Sequence, residues 1–371
     1  MVKVVGMEKG YKILGNYIRL VDERNKDLSV TKLLGVSISK KFIPSIANIV
    51  GTDLSNYKIV RTGQFAYGPV TSRNGEKISI AYLDEEDCII SSSYTVFEVE
   101  NKEELDPEYL MLWFSRPEFD RYSRYKSHGS VREIFDWNEL CMVELPVPDF
   151  EKQRKIVKAY KTITDRIALK QKINDNLAEY LNCIYIKLTK DIQSTTSLSA
   201  ICDYVTEKVI FSEVDTSVYI STENILPDKQ GVASFGMTSS SDRVTYFREK
   251  DVLVSNIRPY FKKMWFATTS GGCNADVLCF RALDKRYSYL LKSILFQDSF
   301  FDYVMSGAKG TKMPRGDKKH IMQYQIPCFL DTQLQKFNEL ASSIEHNQAL
   351  NRQEISALES AKEILLTTLS R

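Results

Sequence analysis

The sequence predicts an α+β chain of two similar mixed α/β units, each followed by a long helix. Three observations predict it: an internal repeat with a period of about 180 residues, a heptad-patterned segment closing each copy, and strand-like apolar runs at matching places in the two halves. The expected boundaries are a first mixed unit over 1–150, a helix over 151–190, a second unit over 191–330 and a helix over 331–371.

The repeat is read from landmarks. Tyr109-Leu110 leads into Phe119-Asp120-Arg121-Tyr122, then Gly129-Ser130, then Leu145-Pro146; Tyr289-Leu290 leads into Phe301-Asp302-Tyr303, Gly310-Thr311 and Ile326-Pro327. Upstream, GQFAY (63–67) and KDVLV (250–254) are apolar runs after a polar turn, and both predict buried strands. SSSYTVFEV (91–99) and NADVLCFRA (274–282) are β-branched or alternating and occupy the same place in each half.

After each proline landmark an amphipathic segment without Gly or Pro begins. In the first, Ile156, Ile163, Lys170, Leu177 and Ile184 alternate with Tyr160, Ile167, Asn174, Leu181 and Leu188. In the second, Phe337, Ile344, Asn351, Leu358 and Leu365 alternate with Ala341, Gln348, Ile355, Lys362 and Leu369. Each is a 3,4 seam of about five heptads, roughly 50 Å of helix. Polar Lys170, Asn174, Gln348, Asn351 and Lys362 in the seams cost stability but fix register. The two helices are therefore expected to pair as an antiparallel coiled coil, giving the duplicated chain a pseudo-two-fold axis; the alternative is that each packs on its own unit. The link from Pro327 to Gln333 is one residue shorter than that from Pro146 to Gln153, which leaves the start of the second helix open.

Composition narrows the class. A chain of 371 residues, 43% hydrophobic and 26% charged, is long enough for two cores. No apolar run approaches the roughly 18 residues of a membrane helix, and MVKVVGMEKG lacks the apolar core and cleavage site of a secretory signal, so the cytoplasm is the expected location. The seven cysteines, at 88, 141, 183, 202, 273, 279 and 328, form no CxxC pair, and buried free thiols are expected; no metal site is expected. The net charge of +2 neither demands nor excludes a polyanion.

Catalytic patterns are missing. Asn256-Ile257-Arg258-Pro259-Tyr260 lacks the first proline of the [ND]PP[YF] motif of base methyltransferases, and Gly307 and Gly310 before Thr311-Lys312 have the wrong spacing for a phosphate loop. His128, His320 and His346 are the only histidines, and no nucleophile elbow accompanies them.

Basic residues instead gather at the loops. Arg121, Arg124, Lys126, His128 and Arg132 surround Gly129-Ser130, with Tyr122 and Tyr125 interleaved; Lys309, Lys312, Arg315, Lys318 and Lys319 surround Gly310-Thr311, with Asp317 the single acid. A third group is Arg258, Tyr260, Lys262 and Lys263, and a turn over 67–74 offers Arg73 and Asn74. Glycine and small hydroxyl residues let a backbone approach a phosphate, Lys and Arg neutralise it, and Arg and Asn suit guanine and adenine edges. Double-stranded DNA is the partner this chemistry fits. The DNA-contacting candidates are Arg73, Asn74, Arg124, Lys126, Ser130, Arg132, Asn256, Arg258, Lys262, Lys263, Lys309, Thr311, Lys312 and Arg315; a solvated basic loop, or a plain β-turn at 67–74, is the competing reading.

YKIVRTGQFAY (57–67), YLMLWFSRPEFDRY (109–122), HGSVR (128–132), LPVPDFEKQRKIV (145–157), YISTENIL (219–226), DVLVSNIRPYFKKMW (251–265), KGTKMPR (309–315) and IPCFLDTQLQKF (326–337) together resemble the specificity subunits of type I restriction-modification enzymes, over essentially the whole chain. The resemblance implies two target-recognition domains, each reading half of a split DNA site, with the helix pair as spacer, and no enzyme activity in the chain itself. It also implies partners: two modification (methyltransferase) subunits that bind S-adenosylmethionine, and restriction (motor-nuclease) subunits that use ATP and Mg, with no cofactor on this chain. A stand-alone DNA-binding or scaffold protein, its helices recruiting another partner, is the second reading.

Overall fold

The computed structural model describes residues 10–45, 52–72, 74–129, 133–214, 218–233, 235 and 241–369. Two compact units emerge, Met1–Lys170 with Glu354–Arg371, and Gln171–Gln353.

In the first unit the apolar runs become strands. Phe65–Tyr67, wholly buried, pairs antiparallel with Thr95–Val99 on one side and Ile80–Tyr82 on the other, and Ile18–Val21 completes the sheet beyond Thr95–Val99. Phe65 stacks on Phe97 at 4.9 Å and meets Phe114 edge-on. Burying each such side chain contributes on the order of 2–3 kcal/mol. The helices follow: α1 (Pro107–Phe114), α2 (Pro117–Tyr125), α3 (Trp137–Cys141) and α4 (Phe150–Thr189). Proline opens α1 and α2, where its missing N–H costs nothing, and Asp106 caps α1 by accepting from Glu108 N and Tyr109 N. Gln153 is fully buried at the root of α4; its amide donates to Glu104 O and Pro148 O and its oxygen accepts from Asp106 N. That knot fixes the entry into α4.

The second unit repeats the plan. Its sheet runs Cys202–Tyr204, Val277–Ala282, Val252–Ser255, Met264–Phe266, the same order with the same antiparallel senses. Its helices are α5 (Ser288–Leu295), α6 (Asp298–Ser306), α7 (Lys318–Ile321) and α8 (Asp331–Thr368). Their first residues, Ser288, Asp298, Lys318 and Asp331, follow Pro107, Pro117, Trp137 and Phe150 at one constant offset. The shortened link thus does not delay the second helix.

The helix pairing can be read within each unit. In the first, Val157 and Tyr160 of α4 share a core with Leu366 and Leu369, and Lys170 bonds Glu354 at 2.9 Å. In the second, Leu181 and Tyr185 pack with Phe337 and Ile344, while Asn174 accepts from Gln348 through its carbonyl oxygen and from Asn351 through its side chain, both at 2.8 Å. Later residues of α4 thus meet earlier residues of α8 in both units, which is antiparallel packing. No seam residue is fully exposed. The expected fold class, two mixed units with paired long helices, is the one found.

The cysteines need one correction. Cys88, Cys202, Cys273 and Cys279 are buried free thiols and Cys141 and Cys328 half-buried ones, but Cys183 is exposed. It lies on the outer face of α4, between the inward Leu181 and Tyr185. Among the described residues no helix is long and apolar enough to cross a membrane, and no cluster of His, Cys, Asp and Glu could hold a metal ion.

Candidate nucleic-acid interface

In each unit two distant segments meet to form one edge. In the second, Lys309 and Arg315 exchange backbone hydrogen bonds at 2.9 Å around Gly310, which has φ +98°, and Arg258 N donates to Pro314 O at 2.8 Å. In the first, His128 and Ile134 exchange the same pair around Gly129 (φ +135°), and Thr71 N donates to Glu133 O at 3.0 Å. A positive φ is what glycine supplies and side-chain-bearing residues resist. The structure therefore joins the third basic group to the second, and the 67–74 turn to the first loop; the sequence kept them apart.

Among the described residues the second edge is the more cationic. Arg258, Lys309, Thr311, Lys312 and Arg315 are all exposed. Lys309 bonds Asp317 at 2.6 Å and Arg315 bonds Asp276 at 3.0 Å, whereas Lys312 and Arg258 have no ion-pair partner among the described residues. Lys309 and the backbone amides of His320 and Lys319 hold the Asp317 carboxyl down to about 2, so it is charged at neutral pH and caps α7. Arg258 and Lys262, at either end of the turn Pro259–Phe261, both have left-handed φ, a strain that in folded chains gathers at binding loops. Lys262 bonds Asp298 at 2.9 Å and Lys263 donates to Thr222 O at 2.8 Å; these two candidates are tied to their own unit. Asn256 is half-buried, its Oδ1 without a hydrogen-bond partner among the described residues, and Gly316 leaves it room, since a Cβ there would lie 3.0 Å from that oxygen.

In the first unit Arg124 pairs with Glu133, Lys126 faces Glu139 at 3.5 Å, and Asn74, half-buried, donates to Val70 O at 3.4 Å. Arg73, Ser130 and Arg132 lie outside the described residues. Sequence reading missed Thr71, whose hydroxyl sits 2.9 Å from Ser127 Oγ and ties the two segments, and His320, which pins the second loop. The repeat offset itself was the available signal for His320, because it stands at the place of Glu139.

Residues 38–179 match the family model of the type I restriction modification DNA specificity domain. The resemblance read from the sequence is borne out. The crystal structure of the type I restriction-modification system S subunit from M. genitalium covers 99% of this chain and 98% of its own at 11% identity, with a TM-score of 0.56, and so shares its fold. A chain from a structure of complex assembly and conformational transition of the type I R-M system aligns at 16% identity over 99% of both chains, TM-score 0.48. The HsdS subunit from Thermoanaerobacter tengcongensis aligns at 16% over 100% and 98%, TM-score 0.37. No curated protein sequence matches. Residues 38–179 thus resemble a DNA specificity domain, and the fold is the one the S subunit has.

Proposed function

We propose that the chain binds a bipartite double-stranded DNA target, one half-site to each unit, and directs partner subunits to it. The observation that carries the reading is the edge built twice, at equivalent places of the repeat, from a glycine loop paired to a second segment. Exposed Lys and Arg neutralise phosphates and fix register, while Arg, Asn and Thr can address base edges. The DNA-contacting set is the one named from the sequence without Lys262 and Lys263, whose charges are engaged within their own unit, with the recognition units over 1–150 and 191–330 and the helices over 151–190 and 331–371.

The chain supplies address and not reaction. In this reading two modification subunits carry S-adenosylmethionine, restriction subunits carry ATP and Mg, this chain binds no cofactor, and the assembly works in the cytoplasm. Affinity of the assembled complex for DNA falls steeply with salt as counterions are displaced, and the purified chain alone neither methylates nor cuts DNA. The test is to map methylated adenines in cells expressing the complete system with and without this chain. A split motif that vanishes with the chain supports the reading; methylation that persists unchanged without it overturns it.

A further inference from the structure

A cleft of about 610 Å³ opens beside α2 in the first unit, lined by Tyr11, Trp113, Phe119, Tyr122 and Met142, with Arg116 in its wall. Arg116 is 4% exposed. Its guanidinium lies over the Trp113 ring at 4.1 Å, the nearest carboxylate, Glu118, stands 3.5 Å away, and Nε has no hydrogen-bond partner among the described residues. A guanidinium offers five N–H donors in a planar fork, and a buried cation whose donors go unused is costly.

The second unit shows that the fold does not require this cation. At the place of Arg116 it carries Gln297, whose amide donates to Asn182 Oδ1 at 2.7 Å and Ser293 O at 2.8 Å, and Ile294 stands in place of Trp113. The first unit thus keeps a buried cation which, beyond its ion pair with Glu118 and its place over Trp113, has one N–H without a partner among the described residues, at the wall of an aromatic cleft. Phe119, Tyr122 and Lys126 follow Arg116 at three- and four-residue steps, so the cleft runs along one face of α2 for roughly 15 Å. Glu118 and Glu144, both exposed, and the half-buried Lys126 also border it; with two cations against two carboxylates the cleft disfavours a polyanion such as a phosphate backbone more strongly than a ligand with one negative group.

We infer that this cleft binds a small carboxylate with an apolar tail, the carboxylate on the Arg116 fork and the tail along Phe119, Tyr122 and Met142. Such binding stands apart from DNA reading. The test titrates the full chain by calorimetry with decanoate, decanol and acetate, below the concentration at which decanoate aggregates. Decanoate is expected to bind at least tenfold more tightly than decanol, and acetate not measurably. Arg116→Gln, the residue the second unit carries there, is expected to erase the decanoate preference and leave decanol binding unchanged, and Arg116→Lys to keep part of it. Equal binding of decanoate and decanol by the unaltered chain, or no binding of either, overturns the inference without recourse to any variant. An undiminished preference in folded Arg116→Gln overturns the assignment to Arg116.

Discussion

At the root of the first glycine loop Lys126 faces Glu139 at 3.5 Å and lies 6.0 Å over the Tyr122 ring. At the root of the second, the equivalent places of the repeat hold Gly307, His320 and Tyr303. There the His320 ring stacks on Tyr303 at 4.2 Å with 10° between planes, and Nε2 lies 3.1 Å from Tyr303 O. A Cβ on Gly307 would come within 2.2 Å of the ring. One tether is a partly exposed ion pair, worth about 0–1 kcal/mol and weakened by salt; the other is an aromatic stack that needs the space a glycine leaves. Duplication preserved strand order and helix spacing and left this local chemistry free to diverge, which the proposed reading of two different half-sites would require.

The largest effect should come from the loop itself. Replacing Lys312 and Arg315 together by Ala is expected to cost about 1–3 kcal/mol for each base interaction removed, confined to one half-site; binding of the assembled complex to duplexes altered in either half checks it, and equal weakening of both halves would refute it. Gly307→Ala should destabilise by about 1–3 kcal/mol through overpacking against His320, seen as a lower midpoint in urea, while Lys126→Ala at the matching place shifts that midpoint far less. His320→Ala should remove about 0.5–1.5 kcal/mol and relax reading of the second half-site alone, by the same margin at low and high salt. Glu139→Gln should be the mildest change, up to about 1 kcal/mol, limited to the first half-site. Its effect should fade as salt rises; a salt-independent loss would show that Glu139 acts by something other than charge.

The long helices were legible in the sequence because a heptad seam is a local pattern: each of its positions, Lys170 and Asn174 included, is at least half-buried. The strands over Phe65–Tyr67 and Val252–Ser255 were legible for the same reason. The edges were not, because Arg258 meets Pro314 and Thr71 meets Glu133 only through pairing between segments far apart in the chain, which no local periodicity encodes. Lys262 and Lys263 read as free cations for want of their distant partners, Asp298 and the carbonyl of Thr222. Arg116 lies in the run YLMLWFSRPEFDRY (109–122), where nothing in its neighbours announces that its guanidinium is buried over Trp113.

The division of labour between the units is tested most directly by exchanging residues from about 195 to 325 for the equivalent segment of a relative and sequencing the methylome of the resulting strain. One half of the methylated motif should be replaced, with the other half and the spacing unchanged, because the first edge and both long helices lie outside the exchanged segment. A motif that changes in both halves at once would contradict two independent readers on one chain.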